Sequence, residues 1–140
     1  YEKNKCDFIE GKGLICGSFT YGIKSSALRK VCQIKDSQDT EMMWVYFTDT
    51  GLFKVENLAN VPVEFQRNDI RMTLDYSDDL SFFKKVFESF DTRYFSLRDI
   101  VKLIDQYPEI KETNFYLQEE WKKNQDSKIN LSLKNETNKA

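Results

Sequence analysis

The chain contains no histidine, and this absence removes several classes of chemistry at once. A Ser-His-Asp triad and a Cys-His pair are both excluded, and so is any metal site that depends on imidazole ligands. The three cysteines are an odd number and show no CxxC spacing, which argues against a zinc site or a disulfide framework. We therefore expect free thiols in a reducing compartment, and a cytoplasmic protein. The chemistry that remains rests on carboxylates, basic side chains, hydroxyls and an oxygen-bound divalent cation.

Long apolar runs and an excess of one charge are also missing. No apolar stretch approaches the roughly 18 residues that a membrane-spanning helix needs. No signal peptide is recognisable, so we expect no membrane partner. The 21 basic and 23 acidic residues give a net charge of −2 without a basic stripe, so we expect no nucleic-acid partner. With 140 residues, 40% of them hydrophobic, the chain is long enough for one domain with a true core.

The two ends of the chain differ from its middle. Residues 1–5 read like the last turn of a helix that began earlier, and we expect the chain to be a fragment of a longer protein. Residues 122–140 are mainly Asn, Lys, Ser and Glu with isolated leucines, which predicts a polar, disordered tail.

The first half of the chain contains short predicted elements. Strands are predicted near residues 6–9 and 52–55, and residues 19–23 are predicted to form either a strand or an extended loop. Ser25 and Ser26 predict the start of a helix with apolar residues at positions 27, 28, 31 and 32. The apolar cluster Met42–Phe47 has no clear period, and is either a packed element or a contact between two copies of the chain.

Residues 70–80 are the most informative stretch. Ile70–Leu74 alternates as a strand does and is followed by a lone carboxylate, Asp75. Ser77 then predicts the start of a helix, with Asp78 and Asp79 in its first turn. The apolar stripe of this helix is predicted at Leu80, Phe83, Val86, Phe87 and Phe90. Further helices are predicted from Ser96 to Pro108 and from Asn114 to Trp121.

Asp75 is the candidate metal ligand. A carboxylate between the carboxyl end of a strand and a helix lies where open α/β sheets bind ligands. Mg²⁺ prefers oxygen ligands and keeps several waters, so one or two carboxylates suffice. The alternative is an Asp that only shapes the turn before the helix. Asp78 and Asp79 are interpreted as charges that stabilise the helix N-terminus, not as metal ligands.

Three other residues are candidates for substrate contacts. Arg71 could bind a phosphate or carboxylate, or could be a surface charge on a half-buried strand. Glu41, beside an aromatic cluster, suits hydrogen bonding to sugar hydroxyls, or marks a packed edge. Gly17 would let a ligand approach the backbone closely, or would serve a simple turn.

The stretch RMTLDYSDDL at residues 71–80 resembles the R-x-T-x-D-x-x-x-D-L/F block of sugar cytidylyltransferases. This family includes the spore-coat polysaccharide, acylneuraminate and 3-deoxy-manno-octulosonate cytidylyltransferases. The FSLRDI and YPEI segments at 95–100 and 107–110, followed by Asn114, are similar to the stretch that follows in the spore-coat branch. Residues 17–28 and 39–53 resemble its middle region, so that the resemblance covers about residues 1–115.

This resemblance implies an α/β fold, part of the nucleotide-diphospho-sugar transferase-like (Rossmann-like) three-layer architecture. Residues 1–121 would be the C-terminal half of that domain, with a sugar-binding and dimer region at 17–58 and the metal-Asp strand and helices at 68–121. It also implies a Mg²⁺-dependent enzyme that joins CTP and a sugar to give a CMP-sugar and diphosphate, acting as a homodimer. Asp75 would hold the metal, Arg71 would be catalytic, and Gly17 and Glu41 would contact substrate.

The pattern is incomplete in this chain. The Gly/Arg/Lys-rich loop for the CTP phosphates, the first metal carboxylate and the base-reading residues of the family are absent, so we expect the chain alone to be inactive. Two alternatives stay open: a non-catalytic binding or dimerisation module, and a transferase of the same fold that uses another nucleotide such as UTP.

Overall fold

The computed structural model describes residues 5–38 and 41–134. The chain divides into two compact units. The first unit takes its described residues from the segments 1–10, 21–58 and 122–140, and the second takes them from 11–20 and 59–121. Both helices and strands are present, so the chain is a mixed α and β protein.

The first unit contains a small mixed sheet. Its strands are β1 (Phe8–Glu10), β2 (Gly22–Ile23) and β3 (Val55–Asn57), in the order β2-β1-β3. β1 is antiparallel to β2 and parallel to β3, so that both Ile23 and Val55 pair with Phe8. The strands predicted near residues 6–9 and 19–23 are present as β1 and β2, whereas the strand predicted at 52–55 shares only Val55 with β3.

Two helices pack in the first unit, α1 (Ser25–Ile34) and α2 (Val45–Thr48). The predicted helix at Ser25 is confirmed. Its buried residues are Ala27 and Val31, whereas Leu28 and Cys32 are exposed. The core of the unit also contains Phe8, Val45, Tyr46 and Phe47. The Met42–Phe47 cluster is therefore largely core, because the side chains of Met42, Val45, Tyr46 and Phe47 are buried within their own unit.

The second unit is mainly helical. It contains a 3₁₀ turn at Val63–Phe65, α3 (Ser77–Glu88), α4 (Leu97–Gln106), α5 (Glu109–Glu112) and a 3₁₀ turn at Phe115–Leu117. α6 (Gln118–Ser127) begins here. The predicted helices after Ser77 and Ser96 are confirmed. α4 starts where Ser96 predicts it, since Asp99 Oδ2 accepts a hydrogen bond from the Ser96 amide at 2.9 Å.

The core of this unit is aliphatic with one aromatic ring, from Phe82. It consists of Ile15, Ile70, Phe82, Val86, Ile100, Val101, Ile104 and Ile110. The predicted stripe of α3 is rotated: Phe82 and Val86 are fully buried, whereas Leu80 is 47% exposed and Phe87 is 54% exposed. The rotation follows from Asp79, which is buried one turn before Phe82. Residues three apart on a helix lie on the same side, so burial of Asp79 also turns Phe82 inward.

The predicted strand at Ile70–Leu74 is wrong for the described residues. Arg71 forms a single parallel bridge with Cys16, supported by the Met72 amide, which donates to the Cys16 carbonyl at 2.8 Å. Thr73 and Leu74 make no backbone hydrogen bond with any described residue. A strand needs a neighbour along its length, and among the described residues this segment has only the bridge with Cys16, next to Gly17, where φ is +84°.

The segment from Lys122 onward also differs from the expected disordered tail. Residues 122–127 continue α6, and Leu133 forms an antiparallel bridge with Lys35. The Tyr46 hydroxyl donates to the Ser132 carbonyl at 3.1 Å. The rest of the tail, residues 135–140, and most of the helix end expected at residues 1–5 lie outside the described residues. None of the helices in the described part of the chain is long and apolar enough to cross a membrane.

Candidate functional site

Arg71 and Asp79 form a fully buried ion pair in the second unit. Arg71 Nε donates to Asp79 Oδ1 at 2.9 Å, and Arg71 Nη2 donates to Asp79 Oδ2 at 3.0 Å. Two parallel hydrogen bonds of this kind fix the relative orientation of guanidinium and carboxylate. The alternative of a surface charge at position 71 is therefore wrong, because no part of the Arg71 side chain is exposed.

Asp79 also organises the backbone before α3. Its Oδ2 accepts hydrogen bonds from the Asp75 amide at 2.8 Å and the Tyr76 amide at 3.0 Å. Its Oδ1 accepts a third, from Asn114 Nδ2 at 2.8 Å. Burial alone would raise the pKa of Asp79, but these hydrogen bonds and those from Arg71 outweigh it and lower the pKa below its ordinary value. Asp79 is thus ionised and fully used within the protein.

The Arg71 guanidinium is enclosed on its other sides. Nη1 lies 3.4 Å from Gln118 Oε1, and the guanidinium carbon lies 5.5 Å from the ring centre of Tyr76 and 5.1 Å from that of Trp121. Burial alone would lower the pKa of Arg71. The hydrogen bonds and charge of Asp79 raise that pKa by more than burial lowers it, so the side chain stays charged. Since the guanidinium has no exposed face, a direct phosphate contact would require this cluster to open.

Asp75 is held beside this cluster without being buried in it. Its side chain is 44% exposed, and its Oδ2 accepts a hydrogen bond from Arg71 Nη2 at 3.0 Å. Its Oδ1 has no hydrogen-bond partner among the described residues. One carboxylate oxygen is therefore held by Arg71, and the other has no hydrogen-bond partner among the described residues, on a side chain that is 44% exposed.

The described residues do not supply a complete metal site around Asp75. No group of three or more carboxylate or thiol side chains within 5–38 and 41–134 could hold a metal ion together. The nearest acidic neighbour in sequence, Asp78, accepts a hydrogen bond from the Tyr116 hydroxyl, which raises the pKa of that tyrosine. A hard cation fits Asp75 only as one ligand among waters and oxygens from elsewhere, a coordination that Mg²⁺ accepts.

Gly17 belongs to the same unit, and the close approach predicted there is made by the protein itself. A Cβ built at Gly17 would lie 2.3 Å from the Met72 carbonyl oxygen. Glycine is required because the chain crosses closely over Met72 and because φ is positive. Whether a substrate also contacts Gly17 remains a prediction.

Glu41 lies in the other unit. Its side chain is 55% exposed, and Lys128 Nζ lies 2.7 Å from Glu41 Oε1. Close by in sequence, the Trp44 ring is 6.2 Å from the Tyr21 ring in a tilted arrangement. The structure therefore brings Gly17, Arg71 and Asp75 into one unit but not Glu41, and the sugar contact of Glu41 remains a prediction.

The sequence interpretation missed the residues that complete the cluster. Asp79 carried a signal, because an acidic residue at the third position of a helix often accepts backbone hydrogen bonds. Asn114 was interpreted as the start of a helix and as part of the family resemblance, not as a partner of Arg71, and Gln118 carried no local signal. Both contact Arg71 across more than 40 positions of the sequence. Asn114 Oδ1 and Trp121 Nε1 are buried and have no hydrogen-bond partner within residues 5–38 and 41–134.

Comparison with known proteins gives a distant relationship. The chain is 29% identical over 114 residues to "Uncharacterized protein MJ1063" of Methanocaldococcus jannaschii. The match covers 80% of this chain and 46% of that protein, so the chain spans about half the length of its relative. No family model matches the chain, and no solved structure matches it at a significant level.

Proposed function

We propose that this chain forms part of a Mg²⁺-dependent nucleotidyltransferase that converts CTP and a sugar to a CMP-sugar and diphosphate. The observation that carries the proposal is the state of Asp75: an exposed carboxylate with one oxygen fixed by a buried arginine and the other unpartnered. The resemblance of residues 71–80 to the cytidylyltransferase block supports the substrate class. We also propose that the mixed α/β chain belongs to a domain with the nucleotide-diphospho-sugar transferase-like fold.

In the proposed reaction a sugar hydroxyl attacks the α-phosphorus of CTP. An oxygen–phosphorus bond forms, the bond to the bridging oxygen breaks, diphosphate leaves, and the hydroxyl proton is released to solvent. Magnesium bound through Asp75 would supply positive charge that offsets the charge on the phosphate oxygens. The remaining metal ligands and the nucleotide contacts would come from outside the described residues.

The role of Arg71 in this proposal is positioning. It is buried and paired with Asp79, so it acts through its hydrogen bond to Asp75 Oδ2. Asp79 adds a second constraint by accepting the Asp75 amide. Together they hold the carboxylate in one orientation, which lowers the entropic cost of binding a cation there.

The test uses Asp75→Asn with Asp78→Asn as its matched control, both in the longest protein that contains this chain. Asp75→Asn should lower the rate of diphosphate release from CTP and sugar by about 100-fold or more, because a carboxylate ligand is lost. Asp78→Asn changes the neighbouring charge without touching the proposed ligand, and should retain activity within about threefold. Circular dichroism should show both variants folded.

A second measurement tests the metal role without turnover. Mn²⁺ added to the longest protein that contains this chain should broaden the amide NMR signals around Asp75, and Asp75→Asn should abolish this broadening. An Asp75→Asn enzyme that keeps normal diphosphate release, or Mn²⁺ broadening that persists in the variant, would show that Asp75 is not the ligand. Assays with CTP and UTP in parallel distinguish the cytidylyltransferase from a transferase that uses another base.

A non-catalytic binding module is the second candidate. It is favoured by the lack of a complete metal-binding group within the described residues. If a folded and dimeric protein released no diphosphate when supplied with either CTP or UTP, that result would support the binding module and not the nucleotidyltransferase.

A further inference from the structure

Residues 128–134, here called the strap, follow α6 and pair with the end of α1 in the first unit. The Asp36 amide donates to the Ser132 carbonyl at 2.9 Å, and the Lys134 amide donates to the Ile34 carbonyl at 2.9 Å. These two hydrogen bonds are those of a short antiparallel pair. The strap is therefore bound to the unit as an added strand is.

The Tyr46 hydroxyl attaches the strap at a further point. It donates to the Ser132 carbonyl at 3.1 Å, accepts from the Ser132 amide at 3.4 Å and lies 3.4 Å from the Asn130 carbonyl. Among the described residues, every hydrogen bond made by 129–134 uses main-chain atoms of that segment. The first unit thus recognises the segment by its backbone, as proteins do when they bind an extended peptide along an edge.

The side chains of the strap alternate between apolar and polar. Ile129, Leu131 and Leu133 are each 40–41% exposed, and the residues between them are Asn130 and Ser132. Alternate residues of a strand share one side, so this spacing suits an extended chain. Because a large part of each apolar side chain stays in water, these contacts hold the strap less firmly than a core would.

A charge at the start of the strap gives the site a preference. Lys128 Nζ lies 2.7 Å from Glu41 Oε1, and the two side chains are 45% and 55% exposed. An exposed pair of this kind contributes little to stability. It does show where a basic residue fits, four positions before Ser132.

We propose that residues 34–36, with the Tyr46 hydroxyl and Glu41, form a peptide-binding site that the strap occupies as an exchangeable internal ligand. The partner is an extended segment of another protein, with a basic residue followed by apolar residues at alternate positions. Main-chain hydrogen bonds supply the binding strength, and Glu41 and the apolar contacts supply the selectivity. This inference goes beyond the proposed function and does not depend on it.

The strap competes with such a partner because it is tethered to the site. A tethered segment has an effective concentration on the order of millimolar, so a free peptide of equal affinity displaces it only at millimolar concentration. Lys134→Pro removes the amide that donates to Ile34 and leaves the site itself unchanged. Lys134→Ala is the matched control, because it changes the side chain and keeps the amide.

The test uses the longest protein that contains this chain and a fluorescein-labelled peptide with the sequence of residues 128–134. In fluorescence anisotropy, Lys134→Pro should bind the peptide at least tenfold more tightly than Lys134→Ala, because the internal competitor is weakened. A peptide that is N-methylated at its last residue lacks the corresponding amide hydrogen. It should bind to Lys134→Pro at least tenfold more weakly than the unmodified peptide.

A disulfide that holds the strap in place provides the converse measurement. Lys35 and Leu133 form an antiparallel bridge of the closely spaced kind, with Cα atoms about 4.5 Å apart, which a disulfide can span. The Lys35→Cys, Leu133→Cys protein is made with Cys32→Ser, because Cys32 is exposed. It should lose peptide binding when oxidised and regain it on reduction.

Hydrogen exchange in the unaltered protein tests the proposal without any variant. In about 5 mM peptide, the Lys134 amide should lose protection because the strap leaves, whereas the Asp36 amide should stay protected because the peptide carbonyl replaces that of Ser132. Unchanged exchange at both amides would overturn the proposal. Equal peptide affinity of Lys134→Pro and Lys134→Ala, or of the oxidised and reduced disulfide protein, would overturn it as well.

Discussion

A buried arginine is tolerated at position 71 because its surroundings replace the water that it loses. Asp79 supplies two carboxylate oxygens, Asp75 supplies a third, and Gln118 supplies an amide oxygen. Removing one partner of a buried pair costs about 3–5 kcal/mol, far more than the pair gains over apolar residues. The pair therefore fixes one arrangement of residues 71–79, as the proposed role of Asp75 requires.

The residue that most directly tests this backbone arrangement is Gly17. In Gly17→Ala the new Cβ would lie 2.3 Å from the Met72 carbonyl oxygen, at a residue with φ of +84°. We expect a loss of about 3 kcal/mol in the free energy of unfolding, from αL strain and a forced backbone shift together. Urea unfolding followed by circular dichroism measures this loss.

Gly13 provides the matched control for this substitution. It also has a positive φ, +78°, but a Cβ there would meet no atom within 4 Å. Gly13→Ala should therefore cost only about 1 kcal/mol, the strain of the left-handed conformation alone. Equal losses for the two variants would mean that the contact with Met72 does not constrain Gly17.

At the level of elements, the sequence predicted where α3 and α4 begin but not how α3 is rotated. Serines and acidic residues locate the helix starts through local hydrogen bonds, and Asp99 meets Ser96 as expected. The inward side of α3 is set instead by Asp79 binding Arg71. Apolar spacing alone favoured Leu80 and Phe87, because a stripe analysis treats every carboxylate as outward-facing.

Residues 70–74, before Asp75, show a second kind of feature that the sequence could not predict. The alternation of Ile70–Leu74 predicted a strand, whereas the structure shows a single bridge at Arg71, with Ile70 buried beside it. It could not indicate whether a neighbouring strand exists, since strand pairing is non-local. Only Cys16 pairs with it among the described residues.

The start of α4 gives a testable prediction for a single element. Ser96 Oγ accepts a hydrogen bond from the Asp99 amide at 3.3 Å, and Asp99 Oδ2 accepts one from the Ser96 amide at 2.9 Å. Ser96→Ala should lower the free energy of unfolding by about 1 kcal/mol, because one amide loses its acceptor. Thermal and urea unfolding both measure this change.

Ser81→Ala is a suitable control within α3. The Ser81 hydroxyl donates to the Ser77 carbonyl at 3.3 Å on the exposed side of the helix. Alanine has the higher helix propensity, so this variant should be neutral or slightly more stable. A Ser96→Ala protein as stable as Ser81→Ala would exclude the cap as a source of stability.

At the scale of the whole molecule, the two units are assembled from segments that alternate along the chain. Unit boundaries fall at residues 10, 20, 58 and 121, and α6 runs through the last of them. A shift in composition accompanies only the last of these positions, where the polar segment 122–140 begins. Sequence patterns describe each element, but the contacts that join residues 11–20 to residues 59–121 are non-local. For this reason the organisation into units could not be predicted from periodicity.

The charges of the molecule as a whole predict how its stability depends on pH. Hydrogen bonds from backbone amides or from Arg and Lys side chains lower the pKa of five carboxylates: Asp7, Glu64, Asp69, Asp79 and Asp99. Their pKa values in the folded state thus lie below the unfolded values of roughly 4. The unfolded chain then binds more protons, so the free energy of unfolding should fall as pH drops below about 5. With no histidine to titrate, it should be nearly constant between about pH 6 and 7.5.

Urea unfolding at a series of pH values measures this dependence, and Asp69→Asn isolates one contribution to it. Hydrogen bonds from Arg67 and Lys111 lower the pKa of Asp69. The variant binds one fewer proton on acid unfolding, so its stability should fall less steeply below pH 5 than that of the wild type. Asp69 is only partly buried, which lets the variant fold and keeps the comparison valid. Parallel slopes for wild type and variant would mean that Asp69 has the same pKa folded and unfolded, and that its contacts with Arg67 and Lys111 add nothing to stability.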